Sequence, residues 1–286
     1  MRSCVRLALA VTLGLAWWTA AQLPAEAQAQ SSQQDTDVRI YERFRAWVSK
    51  QPVTVSRTEV AAQQTDLMNQ YRKVLAADGL SDVEIERQLR IIIEQGRRLE
   101  VDRWNRILTA ATPSFNTQPN AFLVRMTREV RPGTALDVGM GQGRNAIYLA
   151  QQGWTVTGFD PAEQAVAAAQ AQANRLGVKL TAVPVGDDKF DFGKGQWDLI
   201  VLSYVGLRGL IPRIYESLRS GGIVVVEAFH RDSLKNGSIG LGVVFDTNEL
   251  LKLFERFRVI HYEDSEDTGD FGLQKDRLVR LAAQKP

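Results

Sequence analysis

From Thr134 to the C-terminus, short apolar runs alternate with segments of helical periodicity. The apolar runs predict strands over residues 134–138, 154–159, 179–185, 197–203, 223–228, 257–262 and 277–281. Helices are predicted between them, over about 144–152, 162–176, 210–219 and 247–254. This alternation predicts a doubly wound α/β fold with a mostly parallel sheet, preceded by a region of different character.

Residues 38–111 form that preceding region, which has helical periodicity without strand-like alternation. The sequence Ser-Asp-Val-Glu that begins at Ser81 has the form of a capping box, so a long helix is predicted after it. Its apolar stripe indicates a helical arm that packs on the α/β domain. A second interpretation stays open, in which the arm is a substrate lid or a dimer arm.

The connector at 112–120 contains Pro113 and Pro119, which exclude regular structure there. A short helix is predicted near residues 122–130. We assign residues 112–286 to the α/β domain, so the connector is its first segment.

Residues 1–29 have the features of a secretory signal peptide. Arginines stand near the start, the apolar stretch 7–20 is too short for a comfortable membrane span, and small residues follow in A-x-A form. Cleavage is expected after Ala27 or Ala29, which predicts a periplasmic or secreted mature protein with no stable membrane span. The alternative is an uncleaved segment that anchors the chain in a membrane.

Composition restricts the chemistry that the chain can perform. Residues 30–37 are polar and predict a disordered linker. The single cysteine, Cys4, lies in the signal-like segment, and two histidines, His230 and His261, are too few for a histidine-built metal cluster. We therefore predict no metal site. The formal net charge of +2 gives no indication of a nucleic-acid partner.

The glycine-rich turn at the end of the first strand is the strongest local motif. Gly139, Gly141 and Gly143 alternate with single residues, and Asp137 stands two positions before the first glycine. Glycines let a ligand approach the backbone closely, and the helix that follows offers free N–H groups. The dinucleotide fingerprint needs glycine at position 144, which is Arg144 here. A carboxylate also suits a cationic ammonium better than a pyrophosphate.

This stretch resembles class I S-adenosylmethionine (SAM)-dependent methyltransferases. The resemblance continues through Gly143-Arg-Asn145, Tyr148-Leu-Ala150, the run from Gly153 to Asp160, and Gly221-Gly222. Together these motifs are similar to the small methyltransferases that include tellurite-resistance and thiol or chalcogen enzymes. The resemblance covers about Phe115 to Ala283 but not the arm, and it implies a seven-stranded sheet whose last strand is antiparallel.

The resemblance implies SAM as cofactor and a set of residues that bind it. Asp137 and the glycine turn would hold the methionyl amino group and the sugar end. Asp160 follows the second strand, where it can accept both ribose hydroxyls or cap the next helix. Asp187, with Asp188 as second candidate, would take the adenine amino group. Ser203, at the end of the fourth strand, completes this set.

Other residues are candidates for covering the cofactor and for catalysis. Phe115 and Asn120 are candidates for folding over the cofactor, with a plain linker as the alternative. Tyr204 and His230 stand at the ends of the fourth and fifth strands, where the acceptor should lie. A histidine can act as a base near neutral pH, although His230 could also be a loop residue with no chemical task.

The sequence therefore predicts transfer of a methyl group from SAM to a small-molecule acceptor by in-line displacement. A soft nucleophile would need little base catalysis, whereas an oxygen or nitrogen acceptor would need a base, for which His230 is the evident candidate. The competing hypothesis is a non-catalytic SAM-binding or scaffold protein that acts through the arm. A homodimer through the arm would be compatible with either function.

Overall fold

The computed structural model describes residues 25–51, 60–236 and 241–286. Side chains are described from residue 33 onward, except at 52–65 and 235–241. The predicted signal segment lies outside the described residues up to residue 24. Within the described chain, every helix is too short or too polar to cross a membrane.

Three helices form the arm: α1 (Ala25–Val48), α2 (Val60–Ala77) and α3 (Asp82–Leu108). The predicted cap is present, because Ser81 accepts a hydrogen bond from the Glu84 amide and α3 begins at the next residue. The helices share an apolar core built from buried residues of α2 and α3, namely Tyr71, Leu75, Ile85, Leu89 and Ile92. Aromatic side chains of α1 pack against it.

The prediction of a disordered linker at 30–37 is wrong, since these residues lie within α1. Between residues 25 and 48 the chain has neither glycine nor proline. Alanine, glutamine, glutamate and arginine all sustain a helix at small cost, so the polar composition alone does not end it.

The α/β domain begins with α4 (Ala121–Thr127) and contains one mixed sheet. Its strands are β1 (Thr134–Val138), β2 (Thr155–Phe159), β3 (Leu180–Val183), β4 (Trp197–Ser203), β5 (Leu218–His230), β6 (Val244–Phe245), β7 (Arg258–Thr268) and β8 (Lys275–Gln284). Its remaining helices are α5 (Arg144–Gln151), α6 (Glu163–Arg175), α7 (Ile211–Ser217) and α8 (Glu249–Leu253).

The strand order is β3-β2-β1-β4-β5-β8-β7. Strands β1 to β5 pair in parallel, and β8 runs antiparallel to both of its neighbours. The predicted doubly wound, mostly parallel sheet with an antiparallel last strand is therefore confirmed. The additional strand β6 is a two-residue pairing with β5 that was not predicted.

Both faces of the sheet are buried, and β4 shows how the sequence achieves this. Leu199 and Val201 join a cluster with residues of α5 and α6. Ile200 and Leu202 point to the opposite face and join a second cluster with residues of α7 and α8. Successive side chains of a strand alternate between faces, so a continuous apolar run suits a strand covered by helices on both sides.

Candidate active site

A cavity of about 600 Å³ lies at the carboxyl ends of β1, β2 and β4. Its volume is in the range of small-molecule sites, and its place agrees with the rule that ligands bind at the strand ends where the chain order reverses. Two walls enclose it. One wall, here called the floor, consists of residues at the strand ends, among them Gly139, Gly141, Asp160, Asp187, Asp188 and Ser203.

The other wall, here called the cover, comes from three distant parts of the chain. Helix α3 contributes five residues, the connector one, and the turn between β7 and β8 one: Arg97, Glu100, Val101, Trp104, Leu108, Phe115 and Phe271. Phe271 stacks on Phe115 at 5.6 Å between ring centroids and meets the edge of Trp104 at 5.9 Å. The arm thus forms part of the cavity wall, in addition to packing on the α/β domain.

The glycine turn requires its glycines. All three have positive φ, at 66° for Gly139, 54° for Gly141 and 79° for Gly143, a region that side chains disfavour. A Cβ at Gly139 would overlap the Val205 side chain, and one at Gly143 would lie 2.8 Å from the Ala169 Cβ. The turn therefore exposes backbone to the cavity and brings α5 and α6 close together.

Asp137 is a buried carboxyl beneath this turn, only 2% exposed. Burial raises its pKa to about 7, and the nearby Arg144 opposes part of this shift. Its Oδ2 has no hydrogen-bond partner among the described residues. A buried carboxylate oxygen without a donor is costly, and an ammonium group would satisfy it. The residues present therefore fit the amino end of SAM.

Asp160 supports the glycine turn directly. Its Oδ2 accepts a hydrogen bond from the Gly141 amide at 3.0 Å, and its Oδ1 accepts one from the Ala162 amide at 2.8 Å. Burial raises the pKa of this carboxyl, while the two backbone amides lower it. Asp160 is not the N-cap of α6, because Ala162 holds that position, so its bond to the Ala162 amide closes the turn that precedes the helix. Ribose binding stays a prediction that the remaining lone pairs permit.

The other predicted cofactor residues also line the cavity. Asp187 and Asp188 stand at its rim, where Asp188 forms an ion pair of 3.4 Å with Arg97 of α3. The Ser203 hydroxyl accepts a hydrogen bond from the Asn145 amide group at 3.2 Å. The structure thus brings Gly139, Gly141, Asp160, Asp187, Asp188 and Ser203 to one cavity wall, whereas Asp137 and Gly143 are not among its lining residues. The individual roles of all these residues stay predictions.

Tyr204 lies in the cavity wall, but its hydroxyl is already engaged. The residue has a φ of 59°, and its hydroxyl donates to Glu227 Oε1 at 2.6 Å and accepts from the Asp270 amide at 3.1 Å. Burial and the neighbouring Glu227 carboxylate raise the pKa of Tyr204 well above its usual value. A phenol held in this way stays protonated at neutral pH, which is unsuitable for a general base.

His230 does not line the cavity. Strand β5 continues through His230 instead of ending at Ala228, and β6 pairs alongside its last two residues. The ring is buried, with Nε2 at 3.0 Å from the Thr247 hydroxyl and Nδ1 accepting from the Asp232 amide at 3.1 Å. The structure therefore does not place the predicted histidine base near the acceptor.

A buried polar network behind the cover was missed by sequence reasoning. Asp270 accepts from Arg144, at 2.7 Å, and from Asn120, at 2.8 Å. Glu227 accepts from Asn120 at 2.7 Å and from Arg280 at 2.6 Å. The partners are up to 154 positions apart in sequence, counting the bond between Asn116 and Asp270, so spacing gives no signal.

This network corrects the prediction for Asn120. Its side chain caps α4, by accepting from the Leu123 amide at 2.9 Å, and bridges the two buried carboxylates, but it does not line the cavity. Phe115, by contrast, is buried in the cavity wall, and its contact with the cofactor stays a prediction. The connector therefore reaches the cavity through its aromatic residue and is held in place through its asparagine.

Comparison with known proteins agrees with this site. Residues 135–222 match a family model described as a methyltransferase domain. An uncharacterized methyltransferase of Synechocystis is 31% identical over 108 residues, which are 36% of this chain and 51% of that protein. The probable SAM-dependent methyltransferase TehB of Haemophilus influenzae is 23% identical over 150 residues, covering 50% of this chain and 52% of that protein.

Solved structures show the same fold. The crystal structure of Haemophilus influenzae TehB has a TM-score of 0.51 and 20% identity, covering 58% of this chain and 62% of that one. The N-methyltransferase NodS of Bradyrhizobium japonicum, in complex with S-adenosylhomocysteine (SAH), has a TM-score of 0.52 and 16% identity. The match covers 65% of this chain and 98% of that one.

The chain spans about half the length of the curated relatives that it matches. The region that matches the family model contains the glycine turn and every predicted cofactor-binding residue of the floor. The chain therefore carries a class I SAM-dependent methyltransferase domain that resembles the TehB group, and SAM is its cofactor.

Proposed function

We propose that this domain transfers the methyl group of SAM to a small-molecule acceptor. The observation that carries the proposal is the buried Oδ2 of Asp137, which has no partner among the described residues and lies beneath the glycine turn that lines the cavity. When bound, the cofactor supplies a sulfonium methyl group whose carbon a nucleophile can attack in line, and the thioether SAH is the leaving group. The protein must then orient the reactants and exclude water.

The floor and the cover suggest how the two reactants share the cavity. Asp137 and Asp160 lie at the ends of β1 and β2, and this half of the cavity suits the cofactor. Tyr204 follows β4, and its ring meets the edge of Phe271 at 5.4 Å between centroids. The acceptor would then lie over the β4 side, against an apolar aromatic surface.

The polar groups behind this aromatic surface are already paired, which restricts the acceptor. Glu227 accepts from Asn120, Tyr204 and Arg280. A carboxylate whose oxygens already accept three hydrogen bonds from the protein is not free to accept one from a substrate. We therefore favour an acceptor with a soft nucleophilic atom, such as a thiol, which reacts without strong base assistance.

A radiolabelled-methyl screen of small thiols, amines and phenols tests the proposed activity. We expect turnover with thiols to exceed that with amines and phenols of matched size. Glu100 is an exposed carboxylate in the cavity wall, so Glu100→Gln serves as a test for a base that acts from the rim. Retained thiol turnover in this variant is expected. Binding of SAH without turnover on any acceptor would instead support the non-catalytic alternative.

We also propose, from the sequence of residues 1–29, that the mature protein is exported after cleavage near Ala27 or Ala29. The measurement is the intact mass of the native protein recovered from each cell fraction. A periplasmic or secreted chain that lacks the first 27 or 29 residues is expected. A full-length chain in the membrane or cytosolic fraction would contradict this proposal.

A further inference from the structure

Five residues of α3 line the cavity over about three turns of the helix. Its five lining residues stand at positions 97, 100, 101, 104 and 108, a spacing that places them on one face of the helix. The eleven residue steps from position 97 to position 108 correspond to about 16 Å along the helix axis. SAM, which has adenine at one end and an amino acid at the other, has a similar length.

The two ends of this face contact opposite ends of the floor. Arg97 pairs with Asp188, which is at the predicted adenine end. Leu108 lies over the glycine turn, with its Cδ2 3.2 Å from the position that a Cβ of Gly141 would occupy. Helix α3 therefore runs over the floor from the adenine end to the methionine end.

Asn105 fixes the rotation of α3 on the domain. It is only 2% exposed, and its side chain points to the start of α6. Its Nδ2 donates to Glu163 Oε1 at 3.0 Å, and its Oδ1 accepts from the Gln164 amide at 3.0 Å. The residue before α6, Ala162, provides no side-chain cap, so an asparagine from the arm caps this helix.

These two hydrogen bonds restrict how α3 can lie. A shift of one residue in the helix would rotate its side chains by about 100° and remove Asn105 from both partners. A buried amide without partners is costly, so the pair of bonds selects one register. That register is the one in which Trp104 and Leu108 face the cavity.

We propose that α3 is the cover that retains the cofactor and that Asn105 is the positioning residue that sets it. The proposal rests on the cofactor site described above. The cover face of α3 contacts bound SAM or SAH along its length, and release of the product SAH requires α3 to leave the start of α6. The arm core, which contains Ile85 and Leu89 of the same helix, makes α3 a rigid cover rather than a loop.

The test measures SAH affinity by calorimetry and SAH release by stopped-flow displacement on the full chain. Asn105→Ala should raise the release rate constant and the Kd roughly tenfold, because two buried hydrogen bonds that hold the cover are lost. Arg106→Ala, at the adjacent exposed position of α3, is the matched control and should leave both values unchanged.

A rescue separates positioning from a general loss of structure. Asn105→Asp alone places a carboxylate against Glu163 and should be defective. The double variant Asn105→Asp/Glu163→Gln exchanges donor and acceptor but keeps both hydrogen bonds, so it should restore slow release. Failure of the double variant to recover, with the same melting temperature as wild type, would overturn the assignment of Asn105.

A measurement on the wild type does not depend on any variant folding. Bound SAH should slow amide hydrogen exchange over residues 97–108 several-fold, because the cover then opens less often. If the wild type binds SAH but amide exchange over residues 97–108 is unchanged, the proposal that α3 retains the cofactor is contradicted and the methyltransferase proposal stands. If the wild type does not bind SAH, both proposals fail.

Discussion

The floor and the cover enclose the same cavity but are built in different ways. The floor is held by backbone geometry and short-range bonds, as in Asp160, which contacts amides 19 and 2 positions away. The cover is held by side chains that join distant segments, as in Asn105, which reaches Glu163 across 58 positions. The cover is also packed on the domain, because Trp104 and Leu108 join an apolar cluster with Ala162 and Ala165 at the start of α6. A wall of strand ends is held by backbone bonds of the sheet, whereas the cover is held by side-chain contacts that can separate while the sheet stays intact.

This contrast indicates which wall can open for exchange of the cofactor. The floor belongs to the central strands, whose hydrogen bonds open only with the fold itself. Helix α3 of the cover can separate from the domain while the sheet stays intact, since α3 has its own core with α1 and α2. We therefore expect three classes of substitution: those that lower the free energy of unfolding, those that lower cofactor affinity, and those that change only the rate of cofactor release.

The largest effect is expected from breaking the network behind the cover. Arg280→Ala removes the cation that donates to Glu227 at 2.6 Å, and this glutamate is only 3% exposed. An uncompensated buried carboxylate should lower the free energy of unfolding by about 3–5 kcal/mol. Urea denaturation measures this change.

Arg277→Ala is the matched control in the same strand, because this arginine is about one-third exposed and pairs with the partly buried Asp264 and the half-exposed Asp232. Its loss should lower the free energy of unfolding by about 0–1 kcal/mol. Equal losses in the two variants would contradict the claim that the buried network stabilises the fold more than a partly exposed ion pair does.

The next largest effect concerns the floor. Asp160→Ala should weaken SAH binding by roughly 1–3 kcal/mol, because the glycine turn loses an acceptor and the ribose hydroxyls lose a charged partner. Calorimetry measures the affinity. Asp191→Ala provides the control, since Asp191 also accepts a backbone amide in a turn, from Gly193 at 2.9 Å, but lies outside the cavity wall. Similar SAH affinities in the two variants would contradict the assignment of Asp160 to the cofactor site.

A pH titration tests the role of Asp137, whose pKa burial raises to about 7. An ammonium beside the carboxyl favours its charged form, so the complex binds fewer protons than the free protein. SAH affinity should therefore increase about tenfold from pH 6 to pH 8 and level off above the raised pKa. In Asp137→Asn the affinity should be lower and this pH dependence absent. A flat wild-type profile would show that Asp137 does not meet the ammonium.

Asp137 also makes the stability of the ligand-free protein depend on pH. The folded protein keeps the Asp137 proton at pH values where the unfolded chain has lost it, between about 4 and about 7. Stability from this group is thus greatest at low pH and falls as pH rises through that window. Urea denaturation of wild type and Asp137→Asn across the window measures it, and the loss should be smaller in the variant.

The smallest effect is expected at the edge of the cover. Arg97→Ala removes an ion pair of 3.4 Å with Asp188, in which both side chains are about half exposed. Such pairs contribute about 0–1 kcal/mol, so SAH release should accelerate only a few-fold. Stopped-flow displacement in low and high salt measures it, and the wild-type advantage should shrink at high salt. An effect as large as that of Asn105→Ala would place the main anchor of α3 at this pair instead.

Several features of the fold and site could be predicted from local sequence. The continuous apolar run of β4, the turn from Gly139 to Gly143 and the acidic strand ends at Asp137 and Asp160 each depend on neighbours within a few positions. The prediction of Tyr204 and His230 as catalytic residues used only their place after a strand. For His230 the predicted position at the cavity was wrong, because β5 continues to His230 and does not end at the last residue of its apolar run.

Local sequence was enough to specify the alternation of strands and helices, the parallel sheet and the floor of the cofactor site, because periodicity and glycine conformation act over a few residues. Which side chains meet across the cavity was settled by the folded chain alone. Folding paired Glu227 with Arg280, placed Asn105 at the start of α6 and turned Trp104 toward the floor. Such contacts depend on the three-dimensional path of segments far apart in the chain, and one sequence contains no spacing that records them.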